Sequence, residues 1–280
     1  MSYKTILAYL PNDKAIDRVL DVALPIAQDN DAHLIGLHVR PRVPVLLGVV
    51  AAEVPQSILT HQEEMLTRAA EQLGDRFDTR CAKAGVKSEW RCNKVQHNDV
   101  ASDVIGQSLC ADLIVVAQED EDGYESPADL PSRIVMETAR PALIVPHAGK
   151  FSSVGKHVVV AWNGSREAAR AAFDAVPFMK SAKSVRVLAI DPKSREDYDN
   201  IALGDEIALC LARHDIKTEV TVTHSGDITV GDELLNRLAD EGCDLLVMGC
   251  YGHSRLRETL FGGVTKNLLQ RMTAPVLMSH

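Results

Sequence analysis

The stretch of this chain richest in chemistry runs Met248-Gly249-Cys250-Tyr251-Gly252-His253-Ser254-Arg255-Leu256-Arg257-Glu258-Thr259-Leu260-Phe261-Gly262-Gly263-Val264-Thr265. Its glycines let a backbone approach a ligand closely and adopt positive φ. The helical pattern that follows offers unpaired N–H groups and a partial positive charge at its start. Together these features suit a phosphate. Thr265 adds a hydroxyl donor, Arg255 or Arg257 adds positive charge, and His253 lies within reach of the same anion. The glycines read equally well as plain turn punctuation, and the residues alone leave that alternative open.

Such a loop works only if strands and helices hold it, and the order of elements follows from an internal repeat. Thr5-Ile6-Leu7-Ala8-Tyr9 matches Val158-Val159-Val160-Ala161-Trp162, Asp112–Ala117 matches Asp244–Gly249, and Arg140–Val145 matches Ala274–Ser279 with Pro141 set against Pro275. Short apolar runs alternate with helical patterns between these anchors, which predicts βαβ units and a parallel sheet. Strands are expected near 4–10, 32–39, 86–93, 112–118 and 142–146, then 157–162, 185–190, 217–224, 244–249 and 275–279. Helices are expected near 14–29, 56–83, 98–110 and 127–139, then 165–181, 200–214, 229–241 and 263–272. The fold class is α/β, with two tandem doubly wound domains, each an open five-stranded parallel sheet with helices on both faces. Residues 1–148 form the first domain and 156–280 the second, because His147–Gly155 is rich in glycine and serine and lacks apolar periodicity. The loop opening at Met248 then leaves the carboxyl end of a fourth strand, where open α/β sheets bind ligands.

Bulk composition narrows the function. A chain of 280 residues that is 46% hydrophobic and 25% charged is an ordinary globular protein. A net charge of −9 gives no electrostatic footprint for nucleic acid. No apolar run approaches the roughly 18 residues of a membrane span, so no membrane partner and a cytoplasmic location are expected. The six cysteines form no C-x-x-C pair and read as reduced core thiols. No P-loop, no G-x-G-x-x-G after the opening strand and no G-x-S-x-G elbow occur. No metal site is assigned, and no catalytic residue.

The first half reads differently at the place equivalent to the loop: Ala117-Gln118-Glu119-Asp120-Glu121-Asp122-Gly123-Tyr124-Glu125-Ser126-Pro127. Five acids there would repel a phosphate. Asp13 reads as the cap of the first helix, and Asn163-Gly164-Ser165 as a strand-to-helix turn with Asn163 or Ser165 as cap. The apolar loop 45–50 offers either a contact surface or a cap on its own sheet edge.

The spacing Gly249-x2-Gly252-x9-Gly262, continuing as Gly263-Val264-Thr265 on the last strand–loop–helix unit, resembles the ATP-binding motif of the universal stress protein family. The likeness covers the whole chain as two tandem copies, of which only the second keeps the glycines. It implies an adenine nucleotide alpha hydrolase-like, Rossmann-like fold. It also implies a site for ATP or a related adenine nucleotide, with magnesium accompanying it, in the second copy. There Met248, Gly249 and Gly252 would lie near ribose and phosphates, with His253 and Arg255 beside them. Gly262, Gly263, Val264 and Thr265 would cradle phosphate, while Ala161, Trp162, Asn163 and Ala189 would approach the base and ribose. Two departures weaken the match: Asn163 stands where nucleotide binders carry an aspartate, and Gly263 replaces a hydroxyl residue. The resemblance implies a stress-response regulator with at most slow ATP hydrolysis; the alternative is a degenerate interaction or small-ligand module. It further implies that the two domains pair through strands 142–145 and 276–278, as single-domain members do in dimers, with a homodimer of whole chains as a further partner state.

Overall fold

A computed structural model describes residues 2–40, 55–95, 99–118, 129–151, 153–192, 204–250, 265 and 267–280. The first half runs β1 (Thr5–Tyr9), α1 (Asp13–Asn30), β2 (His33–Arg40), α2 (Gln56–Ala84), β3 (Ser88–Lys94), α3 (Val100–Ser108), β4 (Leu113–Ala117), α4 (Leu130–Thr138) and β5 (Ala142–Val145). The second runs β6 (His157–Ala161), α5 (Arg166–Asp174), α6 (Val176–Ser181), β7 (Ser184–Ile190), α7 (Asp205–Ala212), β8 (Glu219–Thr223), α8 (Val230–Asp240), β9 (Leu245–Gly249) and β10 (Val276–Ser279). Residues 265 and 267–271 are helical and form the last helix. The apolar loop 45–50 lies outside the described residues.

Each half contributes five parallel strands, and the two sets join into one ten-stranded sheet ordered β3-β2-β1-β4-β5-β10-β9-β6-β7-β8. The join is antiparallel, with Val276 opposite Ile144 and Met278 opposite Ala142. Both faces of the sheet are covered, so strands such as Leu245–Val247 are fully buried and carry no polar alternation. One core layer lies under α1, α2, α5, α6 and α7, and the other under α3, α4, α8 and the last helix. Each layer runs through both halves.

The expected repeat is present with its first anchor displaced by one residue. Asp112 accepts the backbone N–H groups of Lys4 and Thr5 at 2.7 and 3.0 Å, and Asp244 accepts those of Lys156 and His157 at 3.0 and 2.7 Å. Thr5 therefore corresponds to His157, and Leu10 to Trp162. Sequence comparison misses this slip because a strand buried on both sides lacks the period-two pattern that marks register.

Two local expectations are corrected. The single helix expected over 165–181 is two helices, because Pro177 has no N–H to continue the ladder and α6 restarts around it. The cap of α1 is Asn12, whose side chain accepts from Lys14 and Ala15 N–H. Asp13 instead pairs with Arg76 on α2 at 2.7 Å. Of the six cysteines, all free thiols, only Cys81 and Cys250 are buried; Cys92 and Cys110 lie at the surface.

Candidate functional site

In the second half, β6 sits between β9 and β7, with α5 leaving toward one face and the last helix returning on the other. This is a topological switch point, and the crevice outside the carboxyl ends of β6 and β9 is the place where such sheets take ligands. Register brings Ala161 level with Met248, so the tips of the two strands end together. Trp162 continues β6 by donating its N–H to the Leu188 carbonyl at 2.8 Å, which sets Ala189 on the next strand alongside it.

The described candidates divide by environment. Asn163 is exposed, and its Oδ1 accepts the Ser165 N–H at 3.1 Å, leaving its amide NH2 toward solvent. Ser165 caps α5 by accepting the Ala168 N–H at 3.2 Å. Both expected cap partners therefore act in one turn, through Gly164 at φ +70°. Trp162 is 8% exposed and packs in the layer under α5, with no hydrogen-bond acceptor for its indole N–H among the described residues. Ala189 is fully buried, while Met248 faces the opposite layer with Ala161 packed against it. Thr265 is buried and is the first described residue of the last helix. Gly252, His253, Arg255, Gly262, Gly263 and Val264 lie outside the described residues.

Gly249 has a packing role. A Cβ built on it would sit 2.3 Å from both Ala168 N and Glu167 C. Only glycine allows the first turn of α5 to lie on the tip of β9. That contact carries Glu167, second residue of α5, into the crevice. Its side chain is 2% exposed and ion-paired with Arg166, which is 82% exposed. Burial pushes the Glu167 carboxyl up, but hydrogen bonds from Arg166 and from its own backbone N–H outweigh that and hold it below the ordinary range. The neighbouring Cys250 thiol is pushed up to about 12 by burial, and secondarily by the Glu167 charge. It donates to the Ser279 carbonyl at 3.5 Å and is a neutral structural thiol. Glu167 escaped the sequence reading because an acid in a first turn is ordinarily a solvated partner of the helix dipole.

The first half carries larger polar side chains at the equivalent positions. His38, set where the second half has Ala189, is buried, donates Nδ1–H to the Leu10 carbonyl at 2.8 Å, and stacks on Trp90 at 6.4 Å between centroids. Gln118, set where the second half has Cys250, reaches across instead. Its amide donates to the carbonyls of Leu269 and Gln270 at 2.7 and 3.1 Å, and its carbonyl accepts His147 N–H at 2.9 Å. The acidic stretch 119–127 lies outside the described residues. Among the described residues no three His, Cys, Asp or Glu side chains gather as a metal cage, and no helix is long and apolar enough to cross a membrane. His224 and Ser225 both engage the Asp191 carboxylate, which ties the tips of β7 and β8 together.

The switch-point topology and this loop position agree with a comparison against known families: residues 155–280 match the model of the Universal stress protein family. These residues belong to the universal stress protein family. A universal stress protein of Synechocystis is 29% identical over 148 residues, which is 52% of this chain and 48% of that protein. One from Methanocaldococcus jannaschii is 38% identical over 47 residues, 17% of this chain and 29% of the relative. The chain thus spans about half or less of the length of these curated relatives. A solved universal stress protein from Archaeoglobus fulgidus superposes with a TM-score of 0.74 at 16% identity, covering 98% of this chain and 95% of its own. At that identity the likeness is one of fold, and it extends over both halves.

Proposed function

We propose that the second half, residues 156–280, is a domain that binds ATP or a related adenine nucleotide, with magnesium, at the β6–β9 crevice, and that occupancy regulates a stress response. The observation that carries this reading is the Gly249-x2-Gly252-x9-Gly262 motif, spaced between the β9 tip and the last helix of the family-matched half. The exposed Asn163 amide offers neutral donors at the mouth of the same crevice. Thr265 is the first described residue of the last helix, whose N-terminus would face phosphate. The first half, residues 1–148, then serves as a structural partner.

A second reading has its own support. Trp162 and Glu167 are both buried at the crevice, which favours a degenerate module that holds another ligand or a protein partner. Calorimetric titration of ATP into the protein, beside a variant carrying Gly252→Val and Gly262→Val, separates the two. We expect heat of binding from the parent and none from the variant, since side chains on both glycines would block backbone approach to phosphate. Absence of binding by both would favour the degenerate module.

A further inference from the structure

The buried carboxylate of Glu167 is the feature of this crevice that a phosphate-binding role does not explain. It stands on the first turn of α5, which packs over β9 and β10, and is held against the β9 tip by the Gly249 contact. Among the described residues its ion-pair partner is Arg166, which is largely in solvent and screens it from outside. Among the described residues, the neutral Cys250 thiol and the Ser165 hydroxyl also interact with it. The positive end of α5, which would otherwise attract a ligand anion, is thus already engaged by an anion of the chain itself.

We propose that Glu167 sets the charge this crevice accepts, selecting the nucleoside part of a ligand, or a phosphate neutralised by a divalent cation, over a bare polyphosphate. The inference rests on the nucleotide reading of the same site. Like charges repel strongly where one of them is buried, as the Glu167 side chain is, whereas an adenosine carries no charge to repel. A magnesium-bound triphosphate lies between them, because the cation offsets the carboxylate.

The test is titration of adenosine, metal-free ATP and ATP with excess magnesium into the full chain and into Glu167→Gln. The expected result is about tenfold tighter binding of metal-free ATP by the variant, a smaller gain with magnesium, and unchanged adenosine affinity. Equal affinity for metal-free ATP in both proteins, with adenosine still bound, overturns the proposal and leaves the nucleotide reading standing. Binding of none of the three by either protein removes both. Should Glu167→Gln fail to fold, as read by its thermal melt, Glu167→Ala carries the same comparison with the same expected order.

Discussion

Gly249 shows how one missing side chain sets the position of a helix. With Cβ 2.3 Å from the α5 backbone, Gly249→Ala has no rotamer by which to escape, so α5 must lift from the β9 tip. We expect a loss of about 3 kcal/mol in unfolding free energy, read as a lower denaturant midpoint. Ala117 occupies the matching place in the first half, so Ala117→Gly, which creates no clash there, should cost about 1 kcal/mol through backbone entropy. Equal effects at the two positions would show that the close approach is not what demands glycine. At this scale the sequence was half legible: glycine at 249 was recognisable as a site of close approach, but its neighbour is the chain's own helix, which spacing alone does not reveal.

Side chains cap α1, α3, α5 and α8, and at α3 the capping side chain also ties the helix to its neighbour. Asp99 accepts the Ala101 N–H at 3.1 Å and pairs with Arg133 on α4 at 3.0 Å, tying the two helices together. The Ser102 hydroxyl, and after it the Arg133 guanidinium, hold the Asp99 carboxyl below the usual aspartate range. A carboxyl lowered by folding contributes stability that is complete above its unfolded value and is lost as pH falls through the folded value. Asp99→Ala should therefore cost about 1 kcal/mol at neutral pH, mostly the lost cap, with the half-exposed ion pair adding a few tenths. Asp99→Asn should keep much of the cap while removing its share of acid sensitivity, as seen by chemical denaturation below pH 4 against pH 7. Identical acid sensitivity in parent and Asp99→Asn would count against the assignment.

At the scale of the whole molecule, two repeats become one body through the β5–β10 join, the shared core layers and a few polar staples. Gln118 joins a strand of the first half to the last helix of the second, and the Tyr3 hydroxyl donates to the Asp174 carbonyl at 2.5 Å. Replacing Gln118 by Ala leaves two carbonyls and one N–H without their partner. A loss of about 1 to 3 kcal/mol is expected, within a single calorimetric transition because the core layers still cross the join. Two separate transitions in the parent would mean that the halves unfold independently. Because Gln118 grips the helix that follows the glycine-rich span, the same variant also tests whether the first half steadies the proposed nucleotide site: ATP affinity should fall severalfold.

The sequence by itself determined the elements, their order and the duplication, since apolar runs, turn residues and repeated anchors are local and survive without a third dimension. It also marked the strand tips at 161–163 and 248–249 and the cap at Ser165. The family resemblance already implied a join through strands 142–145 and 276–278, and in the single ten-stranded sheet the apolar edges of β5 and β10 become each other's partner. Tertiary structure alone decided two things. The repeat aligns with a one-residue offset that the strand register and the Asp112 and Asp244 hydrogen bonds disclose. Glu167, polar in sequence and first-turn in position, is buried because Gly249 brings α5 down onto the sheet; that contact comes from a residue about eighty positions away, and no local pattern encodes it.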